Sequence, residues 1–551
     1  MWTIIGLQLT LLLAALDNTI VGTAMPRVIE ELHGFERYAW TTTAYLLTST
    51  TAVPIFGKLS DMHGRKQYFL GGAIFFVLTS ALCGAAGDLP LPMDGMNQLI
   101  LFRGLQGIGA GIITALTFTV VGDIFPPAER GKYQGLFSAV WGLASVFGPT
   151  LGGWITDTLS WRWVFYVNLP VGIVASLVVY FSFPNIRPPR IERKVDYLGV
   201  ISLIACIVPL LLALTWAGDP HFGWKSTRVV ALMCVAAVML VVFLVVESKA
   251  DEPILPLKLF RKPIFAVSMV VLFMTGMGMF AAVLFIPLFM QGVSGVSATQ
   301  SGTLLTPMML MMMTGSILSG QLISRTGRYK MLALTGLGIM VVGLYLMAHM
   351  AVDTTRTVIV RDMLFVGFGL GLTMPLFTLV VQNSVPPTMI GVATASTQFF
   401  RTMGATVGTA IFGTIMLREY TSQFAKTVPV DVPVELRHAF TNPLSLLHNL
   451  PQLQMDYADV PGGSAQLLAL LETMKSALVY GLSDVFWLST IVVAIAWIVT
   501  LFLQEVPLRK SYKLDSMESQ TEAPTPEGAL ATGRAASAHK VAAAIVEDEE
   551  G

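Results

Sequence analysis

An aspartate at position 17 and an arginine at position 103 each stand inside a long apolar run, TIIGLQLTLLLAALDNTIVGTAM and QLILFRGLQGIGAGIITALTFTVVG. A carboxylate in hydrocarbon costs at least about 2.5 kcal/mol even on insertion scales, so Asp17 needs a cation or a proton. If one run is a helix centred near Ala14 and the other near Ala110, a rise of about 1.5 Å per residue sets their levels. Asp17 then lies about 5 Å, and the Arg103 backbone about 10 Å, to the same side of the membrane midplane. Arginine is long enough to close that gap. The pair has two readings: a permanent structural ion pair, or a site whose acid exchanges a proton while the arginine stays charged.

A second charged group lies in GKLSDMHGRK, residues 57–66, between two apolar runs. Gly57 and Gly64 permit tight packing of a short turn, and Asp61 and Arg65 can pair with charges at neighbouring helix ends. Asp123 arrives on the same face at the end of the run that carries Arg103. Such a cluster would latch helix ends together, whereas its plainer reading is a basic loop that anchors topology. Other chemistry has no candidate. The sequence contains no Walker motif, GxSxG elbow or HExxH, so it is not expected to be an enzyme. Cys83, Cys206 and Cys234 lie in apolar runs without metal-ligand spacing, so neither a metal nor a cofactor is expected.

The elements that must position these residues are read from composition. Of 551 residues 54% are hydrophobic and 12% charged, against about 25% charged in a soluble domain. Acids and bases balance at 34 each, with no basic excess for nucleic acid. Apolar runs long enough to cross a bilayer fall at 3–25, 40–57, 67–87, 98–122, 133–156, 161–183, 196–216, 228–247, 263–290, 299–323, 329–350, 358–382, 389–417 and 480–503, fourteen in all. The first has no basic flank and carries Asp17, so it is expected to remain as a span rather than a cleaved signal. Sixteen Lys and Arg in the short loops of one side against six on the other predict cytoplasmic termini. Residues 419–479 form a long outward loop whose pieces LSLLHNL and AQLLALLETMKSAL suit short surface helices. The tail from 505 to 551 is too polar to bury a core and is expected to be disordered in the cytoplasm.

The chain also repeats itself. Gly57, Leu59, Gly64 and Arg65 match Gly320, Leu322, Gly327 and Arg328 at an offset of 263. GIGAG at 107–111 matches GFGLG at 367–371, and Pro126-Pro127, Gly131 and Gly148 match Pro386-Pro387, Gly391 and Gly408, all at offset 260. Two copies of a six-helix bundle follow, at 1–184 and 263–504, with an inserted helix pair in 185–262. Ser324 stands in the second copy where the first has Asp61, which predicts an asymmetric latch.

With these motifs the chain resembles the major facilitator superfamily, and within it the fourteen-helix drug:proton antiporters, over roughly residues 10 to 505. GKLSDMHGRK is similar to the superfamily's loop motif, RGLQGIGAG at 103–111 to its fourth-helix motif, and GPTLGG at 148–153 to its fifth-helix antiporter motif. LDNTIVGTAMP at 16–26 resembles the first-helix motif of the fourteen-helix branch. The resemblance implies an all-α membrane protein that works by alternating access, exporting amphiphilic or cationic drugs for protons. It also implies a proton-coupling role for Arg103 beside Asp17. Gly57, Asp61, Gly64, Arg65 and Asp123 become gating residues that hold an outward-open form. Gly148, Pro149, Gly152 and Gly153 become a hinge or seal, Pro149 removing a backbone donor. Gln106, Trp141 and the run MMLMMM at 308–313 are candidates for the substrate cavity. The expected setting is a monomer, multi-pass in the cell membrane, whose partners are a small-molecule substrate, protons and lipid. Export of a lipid, siderophore or metabolite is the alternative cargo. A sensor that no longer transports is the reading from another class, disfavoured by the intact motifs and the unfoldable tail.

Overall fold

The computed structural model describes residues 2–32, 37, 39–183, 195–217, 223–296, 304–428, 440 and 463–507. The first bundle comprises α1 (Trp2–Leu32), α2 (Ala39–His63), α3 (Arg65–Gly84), α4 (Gly95–Ile124), α5 (Pro127–Thr158), the single turn α6 (Trp163–Tyr166) and α7 (Asn168–Ser182). Then come α8 (Tyr197–Ala217) and α9 (Thr227–Lys249). The second bundle comprises α10 (Pro263–Gly292), α11 (Thr306–Thr326), α12 (Lys330–Ala348), α13 (Arg356–Asn383), α14 (Ile390–Thr427) and α15 (Gly463–Thr500). The expected disorder of the tail concerns residues that, beyond 507, lie outside those described, as does LSLLHNL.

Among the described residues, ten helical segments are long and apolar enough to cross a membrane, so hydropathy accounts for ten of the fourteen expected spans. The other four runs fall on α2, α5, α11 and α14, which are helical but rich in Thr, Ser and Gly. Their polarity has a structural reason. These four make the principal contacts between bundles, α2 on α14 and α5 on α11, and so turn much of their surface to protein rather than lipid.

The internal repeat is carried by packing. α1 packs on α5 and α7, α2 on α4, and α3 on α4 and α7; α10 packs on α14 and α15, α11 on α13, and α12 on α13 and α15. Glycines set these approaches, because helices in lipid associate through close packing rather than hydrophobic burial. A Cβ on Gly107 would strike the Tyr45 carbonyl, and one on Gly367, its repeat mate, the Met308 carbonyl. Gly64 and Gly327 both turn the chain at positive φ, 107° and 67°, where a side chain would be strained.

The loop expected over 419–479 is shorter than that range. Residues 419–427 prolong α14, and 463–479 belong to the same helix as the last span. Leu467, Leu470, Met474 and Leu478 continue the buried stripe of α15, so AQLLALLETMKSAL forms no separate surface helix. The inserted pair α8 and α9 lies against the seam between bundles: Leu203, Ile207, Leu211 and Phe243 pack with Val53 and Ile55 of α2 and Ala395 and Phe399 of α14.

Candidate functional site

Asp17, midway along α1, is fully buried. Arg103 Nη1 of α4 donates to its Oδ2 at 2.5 Å. Gln106 Nε2, one turn along α4, donates to Oδ1 at 2.9 Å, and Asn168 Nδ2 from the start of α7 donates to the same oxygen at 3.1 Å. Three donors and no acceptor is the arrangement an ionised carboxylate takes. Arg103 also donates to Gln106 Oε1 at 2.8 Å, and its guanidinium lies 4.2 Å from the centre of the Tyr45 ring on α2. Asn168 further donates to Ser80 Oγ of α3 at 3.0 Å. Residues from five helices of the first bundle thus close around one ion pair.

Gln106 is enclosed within this cluster, its amide committed to Asp17 and Arg103, so it walls no open space here. Trp141 on α5 is half-buried against the apolar cluster of Leu7, Leu11 and Phe137. Of the methionine run, Met308, Met309 and Met312 are buried in the core of the second bundle.

The 57–66 stretch is the end of α2, a one-residue turn and the start of α3. Arg65 pairs with Asp61, and its Nε reaches Asp123 at the end of α4 at 2.7 Å. Asp61 reaches into the other bundle. Its Oδ1 accepts from Gly391 N at 3.1 Å and its Oδ2 from Val392 N at 2.7 Å, so a carboxylate of α2 serves the unpaired amides at the N-terminus of α14. Gly57 lies beneath it, against Gly391 and Ala395. The repeat reproduces the close approach, Gly131 against Gly320, but not the capping: Ser324 is exposed and donates to Gln321 O. Nearby, Gln134 of α5 donates to Gln382 of α13 at 3.3 Å, and Gln382 donates to Phe118 O of α4 at 3.2 Å. Lys58 pairs with Glu252, beyond α9, at 2.6 Å.

Residues 7–409 match the family model of the Major Facilitator Superfamily. The chain belongs to the major facilitator superfamily. Among its relatives in that superfamily, Multidrug transporter protein MdtP of Bacillus subtilis (strain 168) is 40% identical over 94% of this chain and 96% of its own. Multidrug resistance protein 3 of the same organism is 39% identical over 77% of this chain and 80% of its own. Two solved structures share the fold: the proton:xylose symporter XylE (TM-score 0.58, 12% identity, 94% of this chain and 98% of that one) and the human organic anion transporter MFSD10 (TM-score 0.56, 14% identity, 89% and 99%). The protein is thus a multi-pass membrane protein of a transporter superfamily.

The GPTLGG stretch of this major facilitator chain lies in α5, facing α1. A Cβ on Gly148 would meet Thr19, one on Gly152 would meet Thr23 and the Ile20 carbonyl, and Gly153 faces open space. Thr19 Oγ1 donates to Ala144 O of α5 at 3.0 Å, which ties the two helices just above Asp17. α5 runs through residue 149 without a break, and the side chain of Pro149 lies outside the described residues. Sequence reasoning passed over Tyr45, Ser80, Asn168, Gln134 and Gln382, which carry no motif. It also passed over Asp362, a buried acid of α13 bonded by its neighbour Arg361 at 2.8 Å; an acid inside an apolar run was the signal.

Proposed function

We propose that this chain is a secondary active transporter of the cell membrane, exporting amphiphilic or cationic drugs in exchange for protons, with both termini cytoplasmic. The observation that carries the reading is the buried Asp17 and Arg103 pair. Arginine stays charged, so a proton can be exchanged only at the carboxylate. To take one, Asp17 must release a donor, and the donors come from α4 and α7 while Tyr45 of α2 covers the arginine. Protonation is thereby tied to how the helices of the first bundle pack. A cationic substrate nearby favours the ionised acid, so substrate binding and proton release are linked in both directions.

Alternating access is assigned to the two bundles, 1–184 and 263–504, with 185–262 inserted. The closed side is the one bearing Asp61, Arg65 and Asp123, which the charge bias places in the cytoplasm. Asp61 on the N-terminus of α14 is a strong contact only while the bundles touch, so it stabilises the outward-open form. The drug cargo is supported by one relative named a multidrug transporter and another named a multidrug resistance protein. The test is a resistance profile of cells expressing the chain, with and without a collapsed proton gradient. Resistance to cationic drugs that vanishes with the gradient is expected; resistance that persists without it refutes proton-driven export.

A further inference from the structure

A groove on the flank of the first bundle takes no part in the site above. It runs between α3 and α7, encloses about 420 Å³, and its walls are apolar apart from Ser176 and the tip of Tyr180. Gly172 forms its floor, where a Cβ would run into Val77, so the helices touch there and part above. Ile74, Leu78 and Leu177 are exposed along its rim, a surface that in a spanning chain meets lipid.

Two features say which molecule fits. The first is length. From Leu70 to Ala81 the wall spans eleven steps of about 1.5 Å, roughly 16 Å, which is half of a hydrocarbon core of about 30 Å. That is the depth of one leaflet. The second is polarity. At one end, a turn before Leu70, Lys66 Nζ lies 5.4 Å from the centre of the Tyr180 ring, and among the described residues Lys66 has no carboxylate partner. The far end, at Ala81 and Leu169, has no charge within a turn, and the cation beyond it, Arg162, is already paired with Glu31 and Asp88.

We propose that this groove holds an acyl chain of an anionic phospholipid, its phosphate at Lys66, in the leaflet next to the Asp61 and Arg65 cluster. That this leaflet is the cytoplasmic one rests on the orientation proposed above. Lys66 adjoins Arg65, so the bound headgroup abuts the contact between bundles.

The test uses the full chain purified in detergent micelles. Phosphatidylglycerol with a photoactivatable acyl chain should form adducts within residues 70–81 and 169–180. Native mass spectrometry should give phosphatidylglycerol about a five-fold advantage over phosphatidylcholine, the worth of one basic residue at a membrane surface. Lys66→Gln should abolish that advantage and leave phosphatidylcholine binding unchanged, and Ser176→Phe, which fills the groove, should remove the adducts. An advantage that survives Lys66→Gln, or adducts elsewhere that survive Ser176→Phe, overturns the proposal. Binding in micelles requires neither a gradient nor an orientation, so a chain that keeps the lipid preference but exports nothing refutes the proposed function alone.

Discussion

Replacing Asp61 by asparagine should open the latch end of the protein without unfolding it. The carboxylate accepts two hydrogen bonds from the first amides of α14, at 3.1 and 2.7 Å, and pairs with Arg65 in the same place. A hydrogen bond to a charged group contributes about 1.5–3 kcal/mol and a neutral one about 0.5–1.5. An amide oxygen can keep one of the two bonds, and its nitrogen would face a donor. The charge at the helix N-terminus, worth up to about 2 kcal/mol when partly buried, overlaps with this loss. A net cost of about 2–3 kcal/mol falls on the state in which the bundles touch, a shift of roughly 30- to 150-fold in the equilibrium. Spin labels at the exposed positions His63 and Arg325, one in each bundle, report that equilibrium by double electron–electron resonance. The native protein should give mainly the short distance of the touching state, and Asp61→Asn a second, longer population with slowed transport. A distance distribution unchanged by the substitution would refute the role of Asp61 as a latch.

Gly391→Ala should act in the same direction, because the new Cβ would lie 2.5 Å from Asp61 Oδ1 and 2.6 Å from Arg65 Nη1; the same spin-label pair checks it. Lys58→Ala removes a pair whose Glu252 side is one-third exposed, so transport should slow by less than about five-fold, measured as initial efflux rate. Gly107→Ala should lower thermal stability in detergent by about 1–3 kcal/mol, since the added methyl meets the Tyr45 carbonyl where α2 and α4 cross.

Much of this architecture is legible in the sequence because membrane helices advertise their length and their close approaches. Repeated glycines at 107, 109, 111 and 367, 369, 371 mark equivalent crossings, and helix depth brings Asp17 within reach of the long Arg103 side chain. What fills the other carboxylate oxygen is not legible: Gln106 reads as a candidate for the substrate cavity, and Asn168 carries no motif. The reach of Asp61 to Gly391 spans 330 positions and ends on backbone amides, which no side-chain motif encodes. Hydropathy was least informative for α2, α5, α11 and α14, whose surfaces face each other across the bundles. The end of α14 and the start of α15 read as loop because they carry polar faces beyond the apolar core of each span.

Asp17 is proposed to carry the exchanged proton, and substrate-induced proton release is the measurement that reads this role. The protein is reconstituted in proteoliposomes with a pH-sensitive dye inside, and a cationic drug is added. Removing the charge of Asp17 leaves Arg103 buried without its anion, a cost of about 3–5 kcal/mol, so Asp17→Asn is assayed beside Asp17→Glu, with folding checked by thermal melting. The native protein should release protons when the drug binds, Asp17→Glu should retain part of the signal, and a folded Asp17→Asn should give none. Drug-induced proton release of native size from Asp17→Asn would contradict the account.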